Sequence, residues 1–144
     1  MSKSTNKPGI DFWIIGIVAL IWNLLGVFAY LQQAYMTEED LMAMPVAEQA
    51  LYQNIPAWVT GAYAIAVFGG ALGCILLLLR KKLAGSLFLI SLIAIAVQMS
   101  YNIFMSKATE VYGPGGITMT AMIILIGVFL LWYAKKNTAA GVLT

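Results

Sequence analysis

Amide and phenol side chains are the groups in this sequence best placed to do chemistry, because they lie within or beside long uncharged runs. The candidates are Asn23, Tyr30, Gln33, Gln98, Tyr101 and Asn102. Such groups donate and accept hydrogen bonds without carrying a charge, which suits the binding of neutral hydroxylated solutes. The sequence therefore predicts a polar pocket formed by these six residues.

Asn23 is the most informative of these residues, because it lies near the middle of its uncharged run. An unpaired amide in lipid is costly, so a partner on another helix is expected. Ser91 and Gln98 are the candidate partners. A hydrogen bond to either would make Asn23 a clamp between helices, whereas the alternative places Asn23 in the wall of the pocket.

The groups that most enzymes need are missing from the uncharged runs. The sequence has no histidine and a single cysteine, Cys74, and the runs contain no Asp or Glu. Metal clusters, thiol pairs, nucleophile-base pairs and buried proton carriers all require such side chains. We therefore expect no enzyme activity, no cofactor and no metal site.

The composition indicates that lipid surrounds most of the chain. Hydrophobic residues make up 62% of the sequence and charged residues only 10%. A membrane-spanning helix needs about 20 apolar residues, and four uncharged runs of that order are present. They cover residues 12–35, 55–79, 83–105 and 116–133. The prediction is an all-α, integral membrane four-helix bundle, with residues 1–144 as a single transmembrane domain.

The charges are divided between the two sides of this topology. The basic residues at the termini and in the second connection are Lys3, Lys7, Arg80, Lys81, Lys82, Lys135 and Lys136. The first and third connections hold Glu38, Glu39, Asp40, Glu48 and Glu110, with Lys107 as their only base. By the positive-inside rule, both termini are cytoplasmic. The bases are scattered beside helix ends and form no basic face, so no nucleic-acid partner is expected.

The first connection, residues 37–53, is predicted to contain short helices. Thr37 can cap a helix whose first turn holds Glu38, Glu39 and Asp40, and Pro45 can begin a second one. This segment is either a connector on the outer surface or a lid or docking element. The third connection contains the residues 113–116 (GPGG), which predict a break in the helix before the fourth span.

Small residues mark the faces on which the helices should pack. At helical spacing they fall on one side of each of the first two spans. In the second span, Gly69 and Gly73 form a GxxxG pair, which allows close backbone approach. These residues are Gly16 and Gly26 in the first span and Ala62, Ala66, Gly69, Gly70 and Gly73 in the second.

Several segments of the chain carry a resemblance to a known group of proteins. They are residues 21–27 (IWNLLGV) with Tyr30, residues 54–58 (NIPAW) and the run from Gly69 (GGALG) to residues 80–82 (RKK). The chain resembles a family of small, uncharacterised bacterial four-helix membrane proteins that are often labelled sugar transporter. The resemblance covers most of the chain and implies residence in the bacterial inner membrane.

Two functions are consistent with these observations. One is a transporter-like protein for a small neutral solute such as a sugar, and the other is a non-catalytic accessory or scaffolding subunit of a membrane complex. Four helices enclose little volume, and alternating access usually needs two repeats or two subunits. We therefore expect a homo-oligomer or a membrane-protein partner in addition to the lipid bilayer.

Overall fold

Seven helical segments form the computed structural model, which describes residues 7–53, 55–106 and 108–144. Lys3, Asn54 and Lys107, which the sequence predictions used, lie outside the described residues. The segments are α1 (Ile10–Ala34), α2 (Glu38–Met42), α3 (Val46–Gln53), α4 (Ala57–Leu78), α5 (Leu83–Ser100), a π-helical turn (Tyr101–Met105) and α6 (Ala108–Ala139).

Four of the helices are long and apolar enough to cross a membrane. They are α1, α4, α5 together with the π-helical turn, and the part of α6 from Glu110 onward, and they are 25, 22, 23 and 30 residues long. The predicted all-helical fold with four apolar spans is therefore confirmed.

The bundle has two ends, which differ in what covers them. At one end, residues 80–82 lie in the short connection between α4 and α5, and we call this the hairpin end. Helix α1 begins there and helix α6 ends there. At the opposite end, α2 and α3 connect α1 to α4, and the π-helical turn leads into α6. We call this second end the α2–α3 end.

Helix α4 is the central element, because it packs against α5 along one face and against α1 along another. Helix α6 packs mainly against α5. A Cβ atom at Gly73 would lie 2.7 Å from Cε1 of Phe88 in α5, and one at Gly16 would lie 2.5 Å from Cδ2 of Leu78 in α4. The glycines therefore allow helix approaches that a larger residue would obstruct.

Arg80 joins the C-terminal tail to the connection between α4 and α5. Its backbone has a φ of 60°, and the N–H groups of Arg80 and Lys81 donate to the carbonyls of Leu77 and Leu76 at 2.9 and 2.8 Å. This is the Schellman pattern that ends a helix, with arginine where glycine is usual. Nε of Arg80 donates to the carbonyl of Val142 at 3.1 Å, and the N–H of Thr144 donates to the carbonyl of Arg80 at 3.1 Å.

A compact apolar core closes the hairpin end. It combines residues from all four long helices with two from the tail, and includes Phe12, Ala19, Cys74, Leu77, Ala84, Phe88, Leu130, Tyr133, Ala134, Val142 and Leu143. The rings of Phe12 and Tyr133 stack with their centroids 6.2 Å apart, which brings α1 and α6 together at this end.

The fourth long helix differs from its predicted limits of residues 116–133. Helical structure begins at Ala108 and continues to Ala139, and the break is confined to Gly113, whose φ of 62° and ψ of −149° suit glycine. Pro114 then resumes the helix at once, because proline is compatible with a first helical turn. The predicted break at residues 113–116 is therefore present, but it involves Gly113 alone, and helical structure lies on both sides of it.

The helix that begins with α5 changes its winding before it ends. Ser106 N–H donates to the carbonyl of Tyr101 at 2.9 Å, five residues back, as in a π-helix. A π-helical turn widens the helix by inserting a residue, and such turns are frequent at functional sites. It alters the direction of the side chains from Tyr101 onward relative to a continuing α-helix.

The two short helices of the first connection are present as predicted. Thr37 Oγ1 accepts a hydrogen bond from the N–H of Asp40 at 3.1 Å, and the Asp40 carboxylate accepts one from the N–H of Thr37 at 3.3 Å. This reciprocal capping box fixes the start of α2. Helix α3 begins at Val46, directly after Pro45.

Substitution of Gly73 by alanine tests the close packing of α4 on α5. The added methyl group would collide with the buried ring of Phe88, so we expect a loss of about 1–3 kcal/mol of stability and a lower Tm in detergent. Gly61→Ala on the same helix is the matched control, because nothing lies within 4 Å of its Cβ position. Helix propensity should leave that variant unchanged or more stable by up to about 1 kcal/mol. Equal Tm values for both variants would contradict the packing described.

Candidate functional site

A cavity of about 560 Å³ lies at the α2–α3 end of the bundle, and we call it the outer chamber. Residues from α1, α3, α4, α5, the π-helical turn and α6 form its walls. Its polar lining consists of Gln33, Tyr52, Tyr63, Gln98, Tyr101, Asn102, Ser106, Tyr112 and Thr120. These amide, phenol and hydroxyl groups lie among apolar side chains such as Leu51, Val59 and Met119, which form the rest of the wall.

A second cavity of about 460 Å³ lies deeper in the bundle, and we call it the inner chamber. Residues of α1, α4, α5 and α6 line it, and most of its lining is apolar. Trp22, Val67, Phe88, Ile126 and Leu130 are among the apolar residues. Phe88 and Leu130 also belong to the core of the hairpin end, so that core lies at the bottom of the inner chamber.

The two chambers adjoin each other, because five residues line both. They are Tyr63, Gln98, Met99, Met119 and Ile123. Gln98 and Tyr63 bring polar groups to this boundary, whereas the other three bring apolar ones. The pair of chambers forms one cavity whose polarity falls from the α2–α3 end toward the middle of the bundle.

The structure brings together most of the residues that the sequence proposed as a pocket. Gln33, Gln98, Tyr101 and Asn102 line the outer chamber, and Asn23 lines the inner one. Tyr30 lines neither chamber. Its ring packs edge-on against Tyr63 and Phe68, with centroids 5.3 and 5.7 Å away. The grouping of Tyr30 with the pocket residues therefore needs correction.

The π-helical turn and its neighbours position three consecutive lining residues, Tyr101 to Ile103. The ring of Tyr101 is held edge-on by Trp58 at the start of α4, with centroids 5.8 Å apart. Nδ2 of Asn102 approaches Sδ of Met99 at 3.8 Å. An α-helix turns by about 100° per residue, so three successive side chains would not normally share one wall.

The amides of Gln33 and Gln98 are available to a ligand. Within the described part of the chain, neither side chain forms a hydrogen bond to another protein group, and both are partly exposed. Each amide can donate two hydrogen bonds and accept two. These two residues can therefore satisfy several hydroxyl groups of a bound molecule.

Asn23 has different partners from those that the sequence predicted. Its Nδ2 donates to the carbonyl of Ala19 at 2.8 Å and to Sγ of Cys74 at 3.4 Å. Ser91, a predicted partner, donates instead to the carbonyl of Ala66 at 2.6 Å. Asn23 does link α1 to α4, because its Oδ1 lies against Gly70 where a Cβ would otherwise be.

The small residues predicted to pack the helices occupy the contacts between them. Gly16 faces Leu78, Gly26 faces Val67, Gly69 faces Ser91, and Gly73 faces Phe88. Ala62, Ala66, Gly70 and Gly73 are buried on α4.

Sequence reasoning missed the lining tyrosines Tyr52, Tyr63 and Tyr112, as well as the hydroxyl residues Ser106 and Thr120. Tyr63 had a detectable signal, because it is separated from Ala66 and Gly70 by helical spacings of three and seven residues. Tyr52 and Tyr112 come from different connections, and their side chains interact in the structure. That proximity follows from the tertiary fold, since no local pattern relates the two positions.

Comparison of the chain with protein-family models, curated proteins and solved structures finds no match in any of the three. The structure itself defines a class: four long apolar helices indicate a multi-pass membrane protein, and these helices enclose a two-chamber cavity.

Replacement of Asn23 by alanine tests its role in joining α1 to α4. We expect a loss of about 0.6–2 kcal/mol of stability, because the contacts to Cys74 and Gly70 disappear. Ser100→Ala is the matched control, since Ser100 also bonds to the carbonyl four residues earlier, at 2.7 Å, but is exposed. Thermal unfolding in detergent compares the two. A loss for Ser100→Ala as large as that for Asn23→Ala would refute a special role for Asn23.

Proposed function

We propose that this chain is a transporter-like membrane protein that binds a small neutral solute, such as a sugar, in the outer chamber. The observation that carries the proposal is the convergence of Gln33, Gln98, Tyr101 and Asn102 on one cavity. Gln33 lies far from the other three in the sequence, and the uncharged polar groups of all four match the hydroxyl groups of such a solute.

The chemistry of the lining favours a neutral ligand over an ion. Within the described residues, no Asp, Glu, Lys or Arg lines either chamber. A charged ligand in a site surrounded by apolar helices would lack a counter-ion, which makes its binding costly. The volume of about 560 Å³ falls within the range of small-molecule sites.

Helix α3 supports a lid role for part of the first connection. Its residues Leu51 and Tyr52 line the outer chamber, and Tyr52 interacts with Tyr112 at the start of α6. A surface connector would not need to reach the cavity wall. We propose that α3 covers the outer chamber and moves when the solute binds.

Movement of a solute across the membrane would require a second unit. The core around Phe12, Leu77 and Tyr133 fills the hairpin end of a single copy, and the tail residues Val142 and Leu143 are buried against it. Alternating access usually arises from two repeats or subunits that move relative to each other. We therefore propose a homo-oligomer. Facilitated movement is favoured, because among the residues that the structure describes no carboxylate lines the cavity for proton coupling.

An accessory subunit of a membrane complex is the second candidate. Its supporting observation is the open side of the bundle between α1 and α6, whose backbones are not closely packed along their length. A helix of a partner protein could cover that side. Strict dependence of folding on another membrane protein, together with a lack of solute binding, would favour this function.

We further propose that the hairpin end faces the cytoplasm across a bacterial inner membrane. Lys7, Lys135, Lys136 and residues Arg80–Lys82 lie at that end, whereas the acidic residues of α2, α3 and the start of α6 lie at the other. The positive-inside rule gives this orientation.

Thiol labelling of intact cells tests the orientation. In a Cys74→Ala background, Glu39→Cys should react with an impermeant maleimide from outside, and Lys82→Cys should react only after the cells are opened. The two positions lie at opposite ends of the bundle, and both side chains are exposed. A difference in labelling therefore reports the side of the membrane and not burial in the protein. External labelling at position 82 but not at position 39 would reverse the proposed orientation.

Solute binding is tested by the thermal stability of the purified protein across a panel of sugars and polyols. A ligand that binds the folded state raises stability by mass action, by about 2.7 kcal/mol at a hundredfold excess over Kd. We expect the shift to be strongly reduced in Gln33→Leu and Gln98→Leu. Gln32→Leu is the matched control, because Gln32 is exposed beside Gln33 and does not line the chamber.

The outcomes of this experiment separate the two functions. A shift that survives in Gln32→Leu but not in Gln33→Leu would support the outer chamber as the binding site. Equal shifts in all variants would place binding elsewhere. No shift with any solute would refute the proposed function and favour the accessory subunit.

A further inference from the structure

We infer that the ligand is a neutral single-chain amphiphile, with its hydroxylated head in the outer chamber and its apolar chain in the inner chamber. The geometry also points to a route from the bilayer, between α1 and α6. This inference rests on the proposed function, since the head group is the neutral solute that the outer chamber binds. It adds the apolar chain and the route.

The first step is the continuity of the two chambers. Tyr63, Gln98, Met99, Met119 and Ile123 line both of them. A solute confined to the outer chamber would leave about 460 Å³ of adjoining space unfilled. A molecule with a head and a tail would extend through the shared boundary and occupy both.

The second step is that, below the boundary with the outer chamber, the inner chamber offers few hydrogen-bond donors to a hydroxylated solute. The donors there belong to Asn23, Ser91 and the indole of Trp22, and the first two already donate to protein groups. Ser91 Oγ bonds to the carbonyl of Ala66 at 2.6 Å, and Nδ2 of Asn23 bonds to the carbonyl of Ala19 at 2.8 Å and to Sγ of Cys74. Hydroxyl groups placed there would be poorly satisfied, whereas methylene groups would lose nothing.

The remaining walls of the inner chamber provide contacts for an apolar chain. They include a Trp, a Phe and several Ile, Leu and Met side chains from α1, α5 and α6, together with Ala66 and Val67 of α4. Burial of one methylene group from water is worth about a fourfold gain in affinity. An unbranched chain of several carbons would therefore bind far more tightly than its head group alone.

The third step is the open side of the bundle. Leu25 of α1 and Met119 of α6 line the inner chamber and yet are 60% and 50% exposed. The helices meet at the hairpin end, where Phe12 stacks on Tyr133, but their backbones are not closely packed along the rest of their length. The chamber consequently opens sideways, at a height where apolar helices indicate lipid.

A series of ligands with increasing alkyl length tests the inference in the full-length protein reconstituted in lipid nanodiscs. The probes are glucose and its hexyl, heptyl, octyl and nonyl glucosides, added below the concentrations that dissolve the discs. Aqueous Kd values are corrected for partition into protein-free discs. If the inner chamber buries the alkyl chain away from water, the corrected affinity of the octyl compound should exceed that of glucose at least tenfold. Along the series, the corrected affinity should rise with alkyl length and stop rising when the chamber is full.

Two substitutions test whether the alkyl chain of the ligand lies in the inner chamber. Ala29→Phe adds a ring at the wall of the inner chamber, so we expect the gain from the alkyl chain to fall at least fivefold. Ala96→Phe is the matched control, because Ala96 is exposed on α5 and lines neither chamber, and its chain-length dependence should equal that of the unsubstituted protein. Equal behaviour of the two variants would overturn the assignment of the inner chamber.

The results distinguish failure of this inference from failure of the proposed function. If glucose binds but the corrected affinities do not depend on alkyl length, the inference of an amphiphilic ligand would be overturned. The proposed binding of a small neutral solute would still stand. No binding of glucose or of any glucoside would overturn both. Efficient cross-linking between copies through Ala29→Cys in a Cys74→Ala background would show a second copy on the open side and overturn the lateral route.

Discussion

The close approach of α4 to its two neighbours is the interaction on which the rest of this structure depends. Around Gly70, the amide of Asn23 on α1 and the hydroxyl of Ser91 on α5 both lie against α4. Lipid provides no hydrophobic drive between helices, so small residues and hydrogen bonds must hold them. Because Gly70 has no side chain, two polar groups from different helices fit into one layer of the bundle.

The layer around Gly70 lies between two regions of the bundle that differ in how tightly their interiors are packed. Toward the hairpin end, large apolar side chains fill the interior, and Cys74, Leu77 and Ala84 have no exposed surface. Toward the α2–α3 end, α1 and α6 are less tightly packed and two chambers remain open. The polar groups within the layer bond to protein atoms, whereas Gln33 and Gln98 nearer the α2–α3 end remain available to a ligand. The packing that stabilises the helices thus also sets the polarity of the cavity.

The ends of the bundle are finished by different means. At the hairpin end, the left-handed backbone of Arg80 allows the tight turn, and its guanidinium group holds the C-terminal tail through the carbonyl of Val142. At the other end, the capping box of Thr37 and Asp40 begins α2, and α3 reaches the cavity wall. One end is therefore fixed by the tail, whereas the other is covered by a short helix with few buried contacts, the kind of element that opens at low cost.

The sequence by itself determined the four apolar spans, the small-residue faces and the capped helix at Thr37, because hydropathy, helical spacing and local hydrogen bonding depend on residues close together in the chain. It also identified four residues of the outer chamber, since amides and phenols are conspicuous in apolar runs. Tertiary structure decided the rest. The partners of Asn23, the exclusion of Tyr30, the pairing of Tyr52 with Tyr112 and the π-helical turn at Tyr101 depend on how whole helices are rotated and spaced. The two chambers exist because α1 and α6 are not closely packed along their length, and no local pattern specifies the distance between two helices at opposite ends of the chain.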